Sequence, residues 1–140
     1  MSQELSDRLR ILVDALPLKT GMRVLEIGCG PGAAAREVAR RIEEGQVLAI
    51  DRSAAAVRQA QAGGDVGGKL SVRQASAETF ELEDGEAPFD LAFAFRVGAL
   101  DGRHPKAGEA ARARIRAALK PGGRLFIDGG DPLREIDLGD

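Results

Sequence analysis

The chain has 140 residues, 44% of them hydrophobic and 30% charged, the size and make-up of one globular domain that buries a core without disulfide or metal staples. Twenty basic residues stand against 22 acidic ones, a net charge of −2, which argues against a nucleic-acid partner held by phosphate contacts. No apolar run approaches the roughly 20 residues that span a bilayer, and Glu4 and Asp7 precede any apolar stretch, so neither a secretory leader nor a membrane partner is expected.

Along the chain the apolar period alternates between helix and strand. Leu5, Leu9, Leu12, Val13 and Leu16 recur at helical spacing and predict an amphipathic helix over 3–16, closed by Pro17. Residues 23–27 (RVLEI) form a short β-rich run, which 28–32 (GCGPG) breaks sharply. An Ala/Arg/Glu-rich helix follows over 33–44, with Gly45 suited to its C-terminal cap. Residues 46–50 (QVLAI) are a second strand ending at Asp51, and Ser53 caps a helix over 54–62 that Gly63 and Gly64 stop. A third strand is expected at 69–74, then an acidic, solvated loop over 76–88. The fourth strand, 90–95 (DLAFAF), is apolar throughout, as for a strand covered on both faces. A loop over 98–107, a helix over 108–119 and a Pro121-Gly122-Gly123 turn lead to a fifth strand at 124–128. The last dozen residues carry few regular signals, so the sheet reads as cut short after the fifth strand.

Alternating strands and helices with short apolar strands predict an α/β fold. It is a doubly wound, mostly parallel, Rossmann-like sheet with helices on both faces, in a single domain over 1–140. The one cysteine, Cys29, and the one histidine, His104, cannot supply the usual zinc ligand sets, so no metal is expected. A lone cysteine also fits a reducing, cytoplasmic location.

The chemistry concentrates where the first strand meets the glycines, at Val24-Leu25-Glu26-Ile27-Gly28-Cys29-Gly30-Pro31-Gly32. Glycines let a ligand approach the backbone, and the helix that follows offers free N–H groups. A glycine turn alone is a weak signal. Glu26 sharpens it, because burying a carboxylate costs several kcal/mol unless a cation meets it. A cationic ligand group offsets that cost, whereas a pyrophosphate makes it worse. The plainer alternative is that Glu26 pairs with Arg23 or Arg52. Asp51, at the carboxyl end of the second strand, can accept hydrogen bonds from two ribose hydroxyls, and its distance from Gly28 suits the ~20-residue spacing of nucleotide folds. Its alternative is a helix cap.

The blocks VLEIGCGPG, AIDRS, RQASAETF, FDLAFAF and LKPGGRLFIDGG, taken in order over about 20–130, resemble the class I S-adenosylmethionine-dependent methyltransferases. The resemblance implies S-adenosyl-L-methionine as cofactor. It places Glu26 near the methionine ammonium, Gly28, Cys29, Gly30 and Gly32 under the methionine and ribose, and Asp51 with Arg52 at the ribose hydroxyls. Ser76 and Ala77 fall in the segment that contacts adenine, where the family often has Asp in place of Ser76. Phe95 and Arg96 follow the fourth strand, beside the methyl group. His104 and Asp101, in the loop after the fourth strand, are the candidate bases toward a small-molecule acceptor methylated at oxygen or nitrogen. The Asn/Asp-Pro-Pro-aromatic run of methyltransferases acting on the amino groups of DNA bases or glutamine is absent, since the chain reads Ala94-Phe95-Arg96-Val97 there. A non-catalytic S-adenosylmethionine sensor is the first alternative, and a dinucleotide-binding module the second. The family's usual strand order, 3-2-1-4-5-7-6, would leave the fifth strand of this chain as an open edge. Residues 132–138 or, preferably, a second copy of the chain in a homodimer are expected to cover it.

Overall fold

Each helix begins where a residue can stand in for its missing first turn. In the computed structural model, which describes residues 5–98, 100 and 102–139, the Ser6 hydroxyl accepts the Leu9 N–H at 3.2 Å and opens α1 (Asp7–Ala15). The Ser53 hydroxyl does the same for Ala56, also at 3.2 Å, and opens α3 (Ala54–Ala62). Gly32, in the left-handed region with φ 88°, leads into α2 (Ala33–Arg41). Pro105 starts α4 (Pro105–Ala118), three residues earlier than its Ala-rich body suggested, because a first helical position tolerates a proline.

The strands are β1 (Arg23–Ile27), β2 (Gln46–Asp51), β3 (Leu70–Gln74), β4 (Phe89–Ala94), β5 (Leu119–Asp128) and β6 (Leu133–Ile136). They form one sheet in the order β3-β2-β1-β4-β5-β6, parallel except for β6. The order reverses between β1 and β4, so a crevice opens at their carboxyl ends. Alternation along the strands sorts the core. Val24, Val47, Ala49, Leu91 and Phe93 pack with α1, α2 and Ala60 of α3. Leu25, Ile27, Leu48, Ile50, Ala92 and Leu125 pack with α4 and with Phe80. Helices therefore cover both faces, although α4 and the Phe80 segment share the second face.

Several boundaries move. Helix α2 stops at Arg41, before the expected 44, and the left-handed residue is Glu44 (φ 57°) in place of Gly45. Gly45 is needed for space: a Cβ there would lie 2.7 Å from the Met22 carbonyl oxygen and closer still to Ile42 Cγ2. Strand β5 begins at Leu119, and its register against β4 shifts between Phe89 and Leu91 to pass the Pro121-Gly122-Gly123 stretch.

The expected truncation after the fifth strand is corrected by β6. Leu133–Ile136 runs back antiparallel on β5, pairing Asp128 with Leu133 and Leu125 with Ile136. Leu133 packs on one core and Ile136 on the other, and Arg124 and Glu135 bridge the pair at 2.8 Å. The β5 edge on which the homodimer expectation rested is thus filled by the chain itself. A four-residue strand with two charges carries no readable alternation; its pairing comes from the edge it covers.

Candidate functional site

Glu26 follows the parity of Val24 and so points toward α2. It is 3% exposed, and its Oε1 has no hydrogen-bond partner. Burial pushes its pKa well above the ordinary carboxylate range, opposed by the Ala35 backbone N–H, raised further by Asp51 and lowered by Arg36. The two pairings expected as alternatives do not form. Arg23 donates to the Ala87 carbonyl and lies over the Phe89 ring, and the cation acting on Glu26 is Arg36. A buried carboxyl with an unused oxygen beside a cavity is a site waiting for a donor.

The glycine turn is held from three sides. Asp51 Oδ2 accepts the Gly30 N–H at 2.9 Å, and its Oδ1 accepts the Ser53 N–H at 2.9 Å. The Cys29 N–H donates to Ile50 O at 3.0 Å. Arg36, 5% exposed, donates to Pro31 O at 2.8 Å and to Ala60 O at 2.9 Å. A Cβ on Gly28 (φ 69°) would come within 2.7 Å of Val97 Cγ2, and one on Gly32 within 2.9 Å of the Arg36 guanidinium. These two glycines let β1 and α2 close on their neighbours, while at Gly30 a Cβ would meet nothing within 4 Å. Cys29 is buried, and desolvation pushes its thiol up to about 12, so it is a small protonated filler and no nucleophile.

After β4 the chain turns through Arg96, whose φ of 63° is unusual for a large side chain. Asp128, at the end of β5, accepts the Arg96 N–H at 3.0 Å with Oδ1 and the guanidinium of Arg8 at 2.7 Å with Oδ2. Helix α1 is thereby tied across the carboxyl edge of the sheet. The Phe95 ring packs against that of Phe93, tilted by 45° with centroids 4.9 Å apart.

Two cavities share this edge. One, of about 280 Å³, is lined by Glu26, Cys29, Gly30, Phe95 and, from α1, Arg8. The other, of about 700 Å³, is lined by Asp51, Arg52, Ser76, Ala77, Arg103 and His104. Gly28 and Arg96 border both. The predicted residues are therefore brought together with two exceptions. Gly32 lines neither cavity and lies under Arg36, and Asp101 lies outside the described residues. The Ser76 hydroxyl is engaged with that of Thr79 at 2.7 Å. His104 precedes α4 without capping it, and its ring packs on Gly98. Sequence reasoning missed Arg8 and Arg36, whereas Arg96, expected with Phe95 after the fourth strand, does border both cavities. Arg36 had a faint signal, an arginine on the apolar stripe of α2. Among the described residues no cluster of metal ligands forms, and no helix is long and apolar enough to cross a membrane.

Parallel strands reversing at β1 and β4, with a glycine turn between two carboxylates, define a Rossmann-like domain built for a ligand at its switch point. A family model described as a methyltransferase domain matches residues 24–123, and the chain belongs to the class I S-adenosylmethionine-dependent methyltransferases. Over 123 residues it is 38% identical to a protein-L-isoaspartate O-methyltransferase of Methylorubrum extorquens, covering 87% of this chain and 48% of that one. Over 127 residues it is 33% identical to a trans-aconitate 2-methyltransferase of Paracidovorax citrulli, covering 89% and 45%. The fold superposes with a TM-score of 0.68 on a methyltransferase from Geobacter sulfurreducens in complex with S-adenosyl-L-homocysteine, at 22% identity over 91% of this chain and 49% of that one. The chain spans about half the length, or less, of the curated relatives it matches.

Proposed function

We propose that the chain binds S-adenosyl-L-methionine across the two cavities and transfers its methyl group to an oxygen or nitrogen of a small molecule. The observation that carries this reading is Glu26, a buried carboxyl with one unpartnered oxygen in the cavity wall. An ammonium is the donor that offsets its burial, whereas a pyrophosphate would raise the cost, which disfavours a dinucleotide. Asp51 would take the ribose hydroxyls with the lone pairs that Gly30 and Ser53 leave free, since a carboxylate has about four acceptor sites. Arg52, Ser76 and Ala77 would border the adenosine end, and Phe95 would give the methyl an apolar wall.

When bound, the sulfonium supplies an activated methyl whose transfer calls for alignment and no metal. The protein's part is to hold the acceptor in line and, for a protonated acceptor, to take its proton. His104, on the wall of the larger cavity, would be the base for that task, with Asp101 as the second candidate. Replacing His104 by Ala should lower turnover of a protonated acceptor at neutral pH and spare it at high pH, where the acceptor loses its own proton; an unaltered pH–rate profile ends the base assignment.

Methyl transfer is supported by relatives whose names cover both a protein and a small-molecule acceptor. The concave space walled by Val97, Gly98, Arg103 and His104 favours the small one. Calorimetry with S-adenosylmethionine, S-adenosylhomocysteine and NAD tests the cofactor, and release of S-adenosylhomocysteine over an acceptor panel tests turnover. Asp51→Ala should weaken S-adenosylmethionine binding by about 1.5–3 kcal/mol, through the lost ribose contacts. An unchanged affinity would remove Asp51 from the site. Binding without turnover on any acceptor would favour the non-catalytic sensor.

A further inference from the structure

We infer that Arg96 recognises an anionic group of the acceptor, and that the acceptor is a small organic carboxylate. This rests on reading the paired cavities as cofactor and acceptor space. Arg96 and Gly28 are the residues common to both walls, so Arg96 stands where the two bound molecules would meet. Its backbone sits at φ 63°, a conformation that glycine adopts freely and a large side chain does not. Strain of this kind at a cavity mouth points to a side chain held there for contact with a ligand.

The surroundings leave that guanidinium available. The nearby carboxylate, Asp128, is engaged on both oxygens, by the Arg96 backbone N–H and by Arg8. Asp51 is turned to Gly30 and Ser53. Among the described residues no acidic side chain pairs with the Arg96 guanidinium, which is exposed. Among the described residues Arg52, Arg103 and His104 border the same larger cavity, with the carboxylates Asp51 and Glu78. An anion entering there would meet Arg52 and Arg96 on the wall. The planar guanidinium fork matches a carboxylate through two parallel hydrogen bonds, which orients as well as attracts it.

The test is calorimetry on the chain saturated with S-adenosylhomocysteine. Succinate, tricarballylate and benzoate are titrated beside their neutral amides. At least one acid should bind with its amide silent, and Arg96→Gln should weaken that acid about tenfold or more. S-adenosylhomocysteine affinity should stay within about twofold. Arg96→Gly should show the same loss with a melting temperature equal to or above wild type, since glycine relieves the strained φ. Acids binding no better than amides, or binding R96Q as well as wild type, overturn the inference. So does an R96Q protein whose S-adenosylhomocysteine affinity falls as far, because Arg96 would then serve the cofactor. Wild-type protein that does not bind S-adenosylhomocysteine ends the underlying reading, whereas binding it but none of the acids ends this inference alone.

Discussion

Glu26→Gln should weaken S-adenosylmethionine binding by about 2–5 kcal/mol and, at neutral pH, stabilise the free protein. Both effects have one cause. The carboxyl is 3% exposed with Oε1 unpartnered, so its charged form is costly until a cation arrives. Its folded pKa lies well above that of the unfolded chain. For a group raised in this direction the stabilising contribution is complete below the unfolded carboxylate range. It is lost as pH rises through the folded value. Glutamine never ionises, so the Gln variant should keep its melting temperature where wild type declines with rising pH. Binding runs the other way. An ammonium partner favours ionised Glu26, so below the raised pKa the cofactor must draw off a proton, and wild-type affinity should climb with pH through that range. Glutamine should flatten the climb. Melting curves and calorimetry from pH 5 upward read both. A Gln variant that binds as tightly as wild type sinks the ammonium assignment; one that melts lower at neutral pH would mean that the carboxylate is already satisfied in the free protein.

Arg36→Met should cost about 2–4 kcal/mol of folding stability and loosen the glycine turn. The guanidinium is 5% exposed and joins two segments, Pro31 in the turn and Ala60 in α3, by hydrogen bonds of 2.8 and 2.9 Å. Methionine fills the stem's volume and leaves the Pro31 carbonyl without this donor. It also removes the positive charge that favours ionised Glu26, so cofactor affinity should fall as well. Gly32 and Gly63 both face this guanidinium at distances that a Cβ would violate, which explains two of the chain's glycines through one arginine. Urea unfolding measures the effect. A midpoint unmoved by the substitution would mean that the turn is held by Asp51 and Ile50 without Arg36.

Much of this was legible in the chain itself. Five strands and four helices can be read from their periods, because β1, β2 and β4 are apolar runs and Ser53 sits just before the helix it caps, although the first helix starts at Asp7, after the Ser6 cap, and not at residue 3 as its period suggested. Glu26 betrays itself as an acidic residue inside an apolar strand, and Asp51 by ending the next one. Both lie at the carboxyl edge, as the parallel topology requires. Such signals are local: a period, a cap or a charge out of place within a few residues.

What tertiary structure alone decided are the partnerships between distant segments. Nothing within residues 133–136 specifies a strand, and β6 exists because β5 offers an unpaired edge. Asp51, expected from the sequence as a ribose acceptor, is also a brace for Gly30, a contact 21 residues away in sequence. Arg36 looks like a surface helix residue until α3 and the glycine turn close around it. The network Arg8–Asp128–Arg96 joins α1, β5 and the end of β4 across 120 residues, and it holds the backbone of Arg96, which borders both cavities. Local propensity and hydrophobic period depend on neighbours a turn or a strand apart, so the sequence by itself determined five of the strands, the four helices and the two carboxylates. Burial and long-range hydrogen bonds depend on which elements the folded chain brings into contact, so only the packed structure decided how the site is braced and which arginine stands at its entrance.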